Sequence, residues 1–524
     1  MKHAKPQTKR SWLKNRIRFI DVIALVLASN CLIMGVYFYA SSHSRLTLLI
    51  PFFGALVVII FWFLYRFKNN TYCFVTKKLF PIALVTLSLM YGFAFPPGSV
   101  PDEFYHFKAS YYYSNLIEHP DNPHLIRAED EDALAEGGVM SKAISQDSLE
   151  TIKENIGPFA TKNGTTENSK FNDFADSINI TGNPPQLKIP AALGILFAKL
   201  LGLNSLWLYY FGMIFNLAFG AALIIASVRI TPYGQKVFMA IALLPMTLHL
   251  LGSHSYDVGT LGLAFLLIAL IFRAIEREGE IRDTEVIAII VTGCLLAPCK
   301  VVYTLIVFLI VLVPSSRFSS RRKGIAIKAL VILAPFAVVV LFRLSSILTM
   351  AGVTQVESQG AIQKYTFGTL LSHPLHTIGL LFGTLHDLGW IYLYSFVGSS
   401  LGWFQPNIVA PHYVTIALLM LLGFAIMPSP DDEIVLASRS RIAFSTVFIA
   451  VLTAVMVALC VDWTPITNSY IEGIQGRYFL PVAPLLFMGM RGRTICVTRC
   501  VAFTLILSFI AIDATYIGYI FARI

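Results

Sequence analysis

From Phe19 to its last residues the chain is a succession of apolar runs, most of them about as long as a membrane is thick. About twenty apolar residues in a helix cross the hydrocarbon core. The runs fall at 19–41, 47–65, 79–95, 205–228, 236–252, 256–273, 284–298, 300–314, 325–345, 411–427, 441–461, 478–490 and 498–520. They predict an all-α polytopic membrane protein with about 13 transmembrane helices. Several are shorter than twenty residues, so neighbours such as 284–298 and 300–314 read as broken helices. Region 375–404 has room for one or two more spans. Only 13% of the 524 residues are charged, against about 25% in soluble domains. That excludes a soluble enzyme, a disulfide scaffold, a disordered chain and a coiled coil.

Orientation follows from the basic loops. Seven Lys and Arg precede the first run, which is too long for a signal peptide and lacks a cleavage site. It reads as a signal anchor with a cytoplasmic N-terminus. Loops 66–78 (Arg66, Lys68, Lys77, Lys78), 315–328 (Arg317, Arg321, Arg322, Lys323, Lys328), 437–441 (Arg439, Arg441) and 491–499 (Arg491, Arg493, Arg499) belong on the same side. The long segment 96–204 then lies outside the plasma membrane. Residues 96–189 hold 15 Asp and Glu against 7 Lys and Arg, a net of −8, so the rest of the chain carries +18. A basic excess confined to short loops speaks for membrane topology and against a nucleic-acid partner. Stretch 128–180 reads as solvated surface or a mobile segment. Segment 187–203, broken by Pro190 and flanked by Lys188 and Lys199, reads as an interfacial helix. The seven cysteines form no disulfide or metal pattern. The sequons at Asn163 and Asn179 carry little weight, because such triplets are common by chance.

Four stretches carry candidate chemistry. Pro96-Pro97-Gly98-Ser99-Val100-Pro101-Asp102-Glu103-Phe104-Tyr105-His106 follows the third run directly. Its prolines stop the helix and hold two adjacent carboxylates at the membrane surface. Such a group can act as a general base toward a hydroxyl; a polar helix cap is the plainer reading. Ser253-His254-Ser255-Tyr256-Asp257 lies between two runs on the same side, where ionisable groups default to function or cap the next helix. Lys300, between two short apolar runs, suits an anion or snorkels to the interface. Gly473-Ile474-Gln475-Gly476-Arg477-Tyr478 sits at the mouth of a run. There Arg477 offers the fork of donors that suits a phosphate. No Walker loop, HExxH motif, GxSxG elbow or metal-ligand set is present.

These stretches, with Asn183-Pro184-Pro185-Gln186-Leu187-Lys188, occur in an order that resembles the domain-of-unknown-function 2142 family of bacterial polytopic membrane proteins, over about residues 80–490. That family is in turn similar to the GT-C superfamily of membrane glycosyltransferases. The carboxylate pair Asp102-Glu103 followed by Tyr105 and His106 resembles that superfamily's acidic motif. Asn183-Pro184-Pro185 resembles its K-P-P interfacial helix, with Asn183 in place of Lys and Lys188 nearby. The resemblance implies transfer of a sugar from a polyprenyl-phosphate donor to a glycan or lipid acceptor at the outer face. Asp102 would be the base and Glu103 a second carboxylate or metal ligand. His106, Tyr105, Lys188, His254, Asp257, Lys300, Gln475, Arg477 and Tyr478 would line the substrate site, in contact with membrane lipids. A divalent cation is compatible but not required, since a cationic side chain can neutralise the leaving phosphate. The chain divides into 1–78 with two additional helices, a core at 79–490 and a last helix in 491–524. A flippase or transporter of lipid-linked glycans, a glycan polymerase or ligase, and an envelope scaffold are the other classes the sequence admits.

Overall fold

The computed structural model describes residues 19–42, 44–67, 72–135, 139–156, 171–174, 184–352, 363–430, 436–492, 495–497 and 500–524. The expected sequons at Asn163 and Asn179, Asn183 of the proline motif, and the basic residues Lys68, Arg493 and Arg499 lie outside them, as does much of stretch 128–180.

All thirteen apolar runs contain helix. Helices α1 (Phe19–Ser42) and α2 (Arg45–Phe67) form a hairpin. A short α3 (Tyr72–Phe74) passes through a π-helical stretch, Val75–Leu79, into α4 (Phe80–Ala94). The polar segment supplies α5 (Glu103–Glu118), α6 (Ala128–Ala133) and α7 (Gln146–Ile156). It also forms a small antiparallel pair, β1 (Leu125–Arg127) with β2 (Phe171–Asp173), Leu125 facing Asp173. Then come α8 (Ile189–Leu200), α9 (Ser205–Ile230), α10 (Gln235–Ala242), α11 (Pro245–Leu251), α12 (Asp257–Glu276) and α13 (Asp283–Leu296). A 3₁₀ helix at Val301–Leu312 leads to α14 (Arg321–Gly352), α15 (Phe367–Ser372), α16 (Pro374–Val397), α17 (His412–Ile426) and α18 (Ser438–Trp463). A second 3₁₀ helix, Gly476–Val482, runs into α19 (Ala483–Met490), and α20 (Val501–Phe521) closes the chain.

Among the described residues eight helices are long and apolar enough to cross a membrane, against thirteen runs expected. The other five runs make shorter helices. Run 236–252 is split between α10 and α11, with Pro245 starting the second. Run 284–298 ends at Leu296, and 300–314 becomes the 3₁₀ helix, so this pair is broken at residues 297–300. A 3₁₀ helix rises about 2.0 Å per residue, and twelve residues reach about 24 Å. Region 375–404 holds the single helix α16. Helix α8 has 12 residues, about 18 Å at 1.5 Å each, too short to cross about 30 Å of hydrocarbon.

Helices α1, α2 and α20 pack as a unit. Tyr65 stacks on Phe503 at 4.0 Å, and Cys31 Sγ donates to Ala511 O at 3.7 Å. The unit is tied to α4 by Tyr91 Oη, which donates to Asp513 Oδ1 at 2.8 Å. Helix α12 runs through the centre of the bundle, with fifteen of its twenty residues buried.

The loops sort to two ends. At one, Arg229 donates to Lys77 O, Ile281 N to Arg317 O, Lys236 Nζ to Met427 O and Val497 N to Pro428 O. At the other, Trp403 Nε1 donates to Gly98 O, Ile144 N to Gln405 Oε1 and Tyr365 N to Thr464 O.

Helix α8 lies directly on α9. A Cβ at Gly194 would sit 2.2 Å from Phe211 O and 2.8 Å from Gly212 Cα, whereas one at Gly423 would meet nothing within 4 Å. Both neighbours at Gly194 are backbone, so the helices themselves must move apart. Overpacking of this kind costs about 1–3 kcal/mol. Gly194→Val is expected to lower the thermal unfolding temperature in detergent, and Gly423→Ala to leave it unchanged.

Candidate functional site

Helix α4 ends at Phe95 in an extended conformation, and the prolines that follow prevent its continuation. Asp102 then starts α5 with φ 67°, in the left-handed region. An L residue adopts this at a cost of about 1–2 kcal/mol. The consequence is that two adjacent carboxylates diverge. Asp102 stays 59% exposed, while Glu103 is wholly buried.

The Glu103 carboxylate is enclosed by four donors. Oε2 accepts from Gly98 N at 2.9 Å and Val100 N at 3.3 Å. Oε1 accepts from Tyr209 Oη at 2.5 Å and His254 N at 2.8 Å. Burial pushes its pKa up to about 7, against the pull of those four hydrogen bonds. Glu103 thus fastens the proline turn to α9 and to the start of α12. The His254 ring accompanies it: Nε2 lies 2.8 Å from Tyr209 O, and burial lowers the imidazole to about 4.

Asp102 belongs to a second group. Arg477, 5% exposed, directs Nη2 to Asp102 Oδ2 at 3.3 Å and Nε to Asp257 Oδ2 at 3.6 Å. Asp257 Oδ1 in turn accepts from Lys300 Nζ at 2.8 Å. Residues separated by up to 375 positions are thereby joined in one chain of charges. Each member is placed by an irregularity of the backbone. Asp102 sits on the left-handed turn, Asp257 on the first residue of α12, Lys300 in the break between α13 and the 3₁₀ helix, and Arg477 at the start of the second 3₁₀ helix. Gly476 makes the last placement feasible, because a Cβ there would lie 1.9 Å from Tyr392 O on α16. Arg477 Nη1 and Gln475 Oε1 are enclosed without a hydrogen-bond partner.

Lys300 also borders a cavity of about 510 Å³. Tyr105, His106, Tyr256, Tyr303, Tyr478 and Lys300 line its polar side. Lys300 Nζ lies over the rings of Tyr478 at 4.2 Å and Tyr256 at 5.0 Å. The other walls are Val301 and Val302 of the 3₁₀ helix and Val455, Ala458, Leu459, Asp462 and Trp463 of α18. Asp102 does not line the cavity; it reaches it through Arg477, Asp257 and Lys300. Behind the His106 ring lies Lys188, fully buried, with Nζ 2.8 Å from His106 Nδ1.

All eleven residues singled out in the sequence fall in this region. Eight belong to the charge chain, the cavity wall or the layer just behind it, Glu103 and His254 form the adjoining anchor, and Gln475 stands two residues before Arg477. Sequence reasoning did not single out Tyr256, Tyr303 or the α18 wall, nor Tyr209 as the partner of Glu103. Tyr256 stands beside Asp257 and Tyr303 lies three residues after Lys300, one 3₁₀ turn away, and that proximity in sequence was their only signal. The α18 residues carry no local signal, being indistinguishable from lipid-facing positions. Among the described residues no three His, Cys, Asp or Glu side chains gather into a metal-binding group.

The fold and this site define a many-helix membrane protein with its charged groups gathered around a cavity toward one end of the bundle. A family model described as Predicted membrane protein (DUF2142) matches residues 79–486. The chain belongs to that family. No curated protein and no solved structure matches it. The matched span contains the whole charge chain and the cavity, and leaves out α1, α2 and α20.

Glu103→Gln would set an amide nitrogen against at least one backbone N–H whichever way it turned, His254 N on one side or Gly98 N and Val100 N on the other. Leaving buried groups unsatisfied costs about 1–3 kcal/mol. The expected result is a lower unfolding temperature in detergent, with full insertion at reduced yield.

Proposed function

We propose that this protein is a membrane glycosyltransferase that takes a sugar from a polyprenyl-phosphate donor and passes it to a cell-envelope glycan or lipid acceptor at the outer face of the plasma membrane. One observation carries the reading. A chain of fixed charges ends, through Lys300, on a cavity that is cationic and aromatic on one side and mostly apolar along α18, where Val455, Ala458, Leu459 and Trp463 accompany a single carboxylate, Asp462. A phosphate joined to a long hydrocarbon chain has that same division. The resemblance of the proline-bounded acidic motif to GT-C enzymes supports it at the level of fold analogy.

In this mechanism Asp102 Oδ takes the proton of the acceptor hydroxyl. The freed oxygen attacks the anomeric carbon from the face opposite the phosphate. The bond from that carbon to the phosphate oxygen breaks, and its electron pair leaves on the lipid phosphate, giving inversion. Lys300, held by Asp257, donates charge-assisted hydrogen bonds to the departing phosphate. Arg477 keeps Asp102 aimed, and Asp257 keeps Lys300 and Arg477 in register. Glu103 is a positioning residue, since its enclosed carboxylate reaches no substrate. Tyr105, Tyr256 and Tyr478 supply ring faces and hydroxyls for a sugar.

A flippase needs a path to both ends of the bundle, and the charge chain and cavity belong to one end. A polymerase or ligase joining longer glycans uses the same chemistry. Purified protein in vesicles, given a polyprenyl-phosphate sugar and envelope extract, separates the classes by product: a transferred sugar, a moved lipid or an extended glycan.

Removing a general base costs about 10²–10⁴-fold in rate. Asp102→Asn is expected to lower sugar transfer by that factor in reconstituted vesicles while leaving insertion and unfolding temperature unchanged. Near-full transfer would remove Asp102 from the mechanism. Ala458→Trp is expected to weaken use of a long-chain donor more than of a short-chain one, read as the ratio of their kcat/KM values.

The proposed topology places the N-terminus and the basic loops in the cytoplasm. Cys73 and Cys496 are exposed and lie on that side. A membrane-impermeant thiol reagent is expected to label them only after the cells are permeabilised.

A further inference from the structure

The fixed charges of the cluster are already matched. Arg477 and Lys300 face Asp102 and Asp257, two cations against two carboxylates. An anion arriving in the cavity adds negative charge that this set does not balance. A further cation-forming group, Lys188, lies directly behind the His106 side of the cavity, while Lys364 stands at the α18 side, donating to Asp462 O at 2.8 Å. Lys188 is fully buried, and among the described residues no carboxylate is within ion-pairing distance of it. Its Nζ contacts His106 Nδ1 at 2.8 Å and lies 5.5 Å from the centre of the Tyr256 ring. Both His106 and Tyr256 line the cavity. The Lys188 nitrogen is therefore one imidazole away from whatever binds there.

We propose that the cavity takes up its phosphate-bearing ligand together with one proton, and that Lys188 receives that proton, with His106 as the link between the amine and the cavity. The inference rests on the reading of the cavity as a phosphate site and adds proton linkage to it. With the cavity open, a neutral amine and a neutral imidazole share one hydrogen bond. A ligand anion beside His106 favours the ammonium, which donates to Nδ1 while Nε2–H is free to donate toward the anion.

Every charged group around the pair bears on the balance. From α12, Asp257 favours the ammonium and Tyr256 offers its ring face. From the turn before α12, His254 is itself held neutral by burial and by Lys188. On α5, the His106 imidazole is held well below its ordinary range, by burial first and then by Lys188, Arg477 and Lys300. Asp462 also lines the cavity, and Lys364 Nζ donates to its carbonyl oxygen. Burial outweighs Asp257 and brings Lys188 down to about 7. The amine is thus largely neutral above that pH, and a bound anion raises its affinity for a proton. Binding is strongest below about pH 7 and weakens as pH rises through the shifted value in the complex.

The test is calorimetric titration of the whole protein in detergent with a short-chain prenyl phosphate, at about pH 8, in two buffers of different ionisation enthalpy. The wild type is expected to take up about one proton more than Lys188→Met. The ratio of wild-type to variant affinity should fall up to tenfold per pH unit above about 7. Lys300→Met should weaken binding and keep the proton uptake. Equal proton uptake in wild type and Lys188→Met overturns the inference and leaves the phosphate site standing. No binding of the probe at any pH overturns both. If Lys188→Met does not fold, a prenyl sulfate, whose charge is constant over this range, is titrated into the wild type. Proton uptake near one supports the proposal, and uptake near zero contradicts it.

Discussion

The site depends on an arginine that the bundle has nearly closed over. A guanidinium keeps its charge at any ordinary pH, so burying it demands counter-charge close by. Arg477 finds it on two separate elements, Asp102 at the turn after α4 and Asp257 at the start of α12. These contacts make the positions of three distant motifs mutually dependent. Lys300, paired to the same Asp257, extends the arrangement to the broken segment between α13 and the 3₁₀ helix. Asp257 is the counter-charge that Arg477 and Lys300 share, while Asp102 lies largely exposed at the edge of the set.

The backbone prepares that unit by leaving regular helix at each place where a charge must be presented. The left-handed Asp102 separates the roles of two adjacent acids: one is spent on structure, the other remains accessible. The glycine before Arg477 brings its strand of chain against the backbone of α16. The twelve-residue 3₁₀ helix narrows one wall of the cavity and lets a short apolar run rise nearly as far as a longer α-helix. These departures cost conformational energy locally, and the buried contacts of Glu103 and the packing of α8 on α9 hold them in place.

Much of this was legible in the sequence. Apolar runs and their breaks are composition over a window, and each run contains helix; the break before Lys300 was visible in the shortness of the two runs, whereas Pro190, read as a break, stands in the first turn of α8 and starts it. The convergence of Asp102, Asp257, Lys300 and Arg477 was readable only as motifs that shared one expected side. What the sequence did not carry is direction. Nothing in the dipeptide Asp102-Glu103 says that one carboxylate points into the bundle, because that follows from a single positive φ. Nor does an aliphatic residue on α18 announce whether it meets lipid or a cavity. The number of full crossings is hidden for a related reason: a run split by Pro245 or continued as 3₁₀ helix has the hydropathy of a span without its length.

The cavity's two-sided lining is the link from this packing to function, because it asks for one molecule with an anionic head and a hydrocarbon tail. An experimental structure of the protein bound to a polyprenyl phosphate tests that link most directly. The account predicts density for the phosphate within hydrogen-bond distance of Lys300 and the prenyl chain lying between Val301–Val302 and Val455–Trp463. A phosphate bound elsewhere, or a cluster in which Arg477 contacts neither Asp102 nor Asp257, would contradict it.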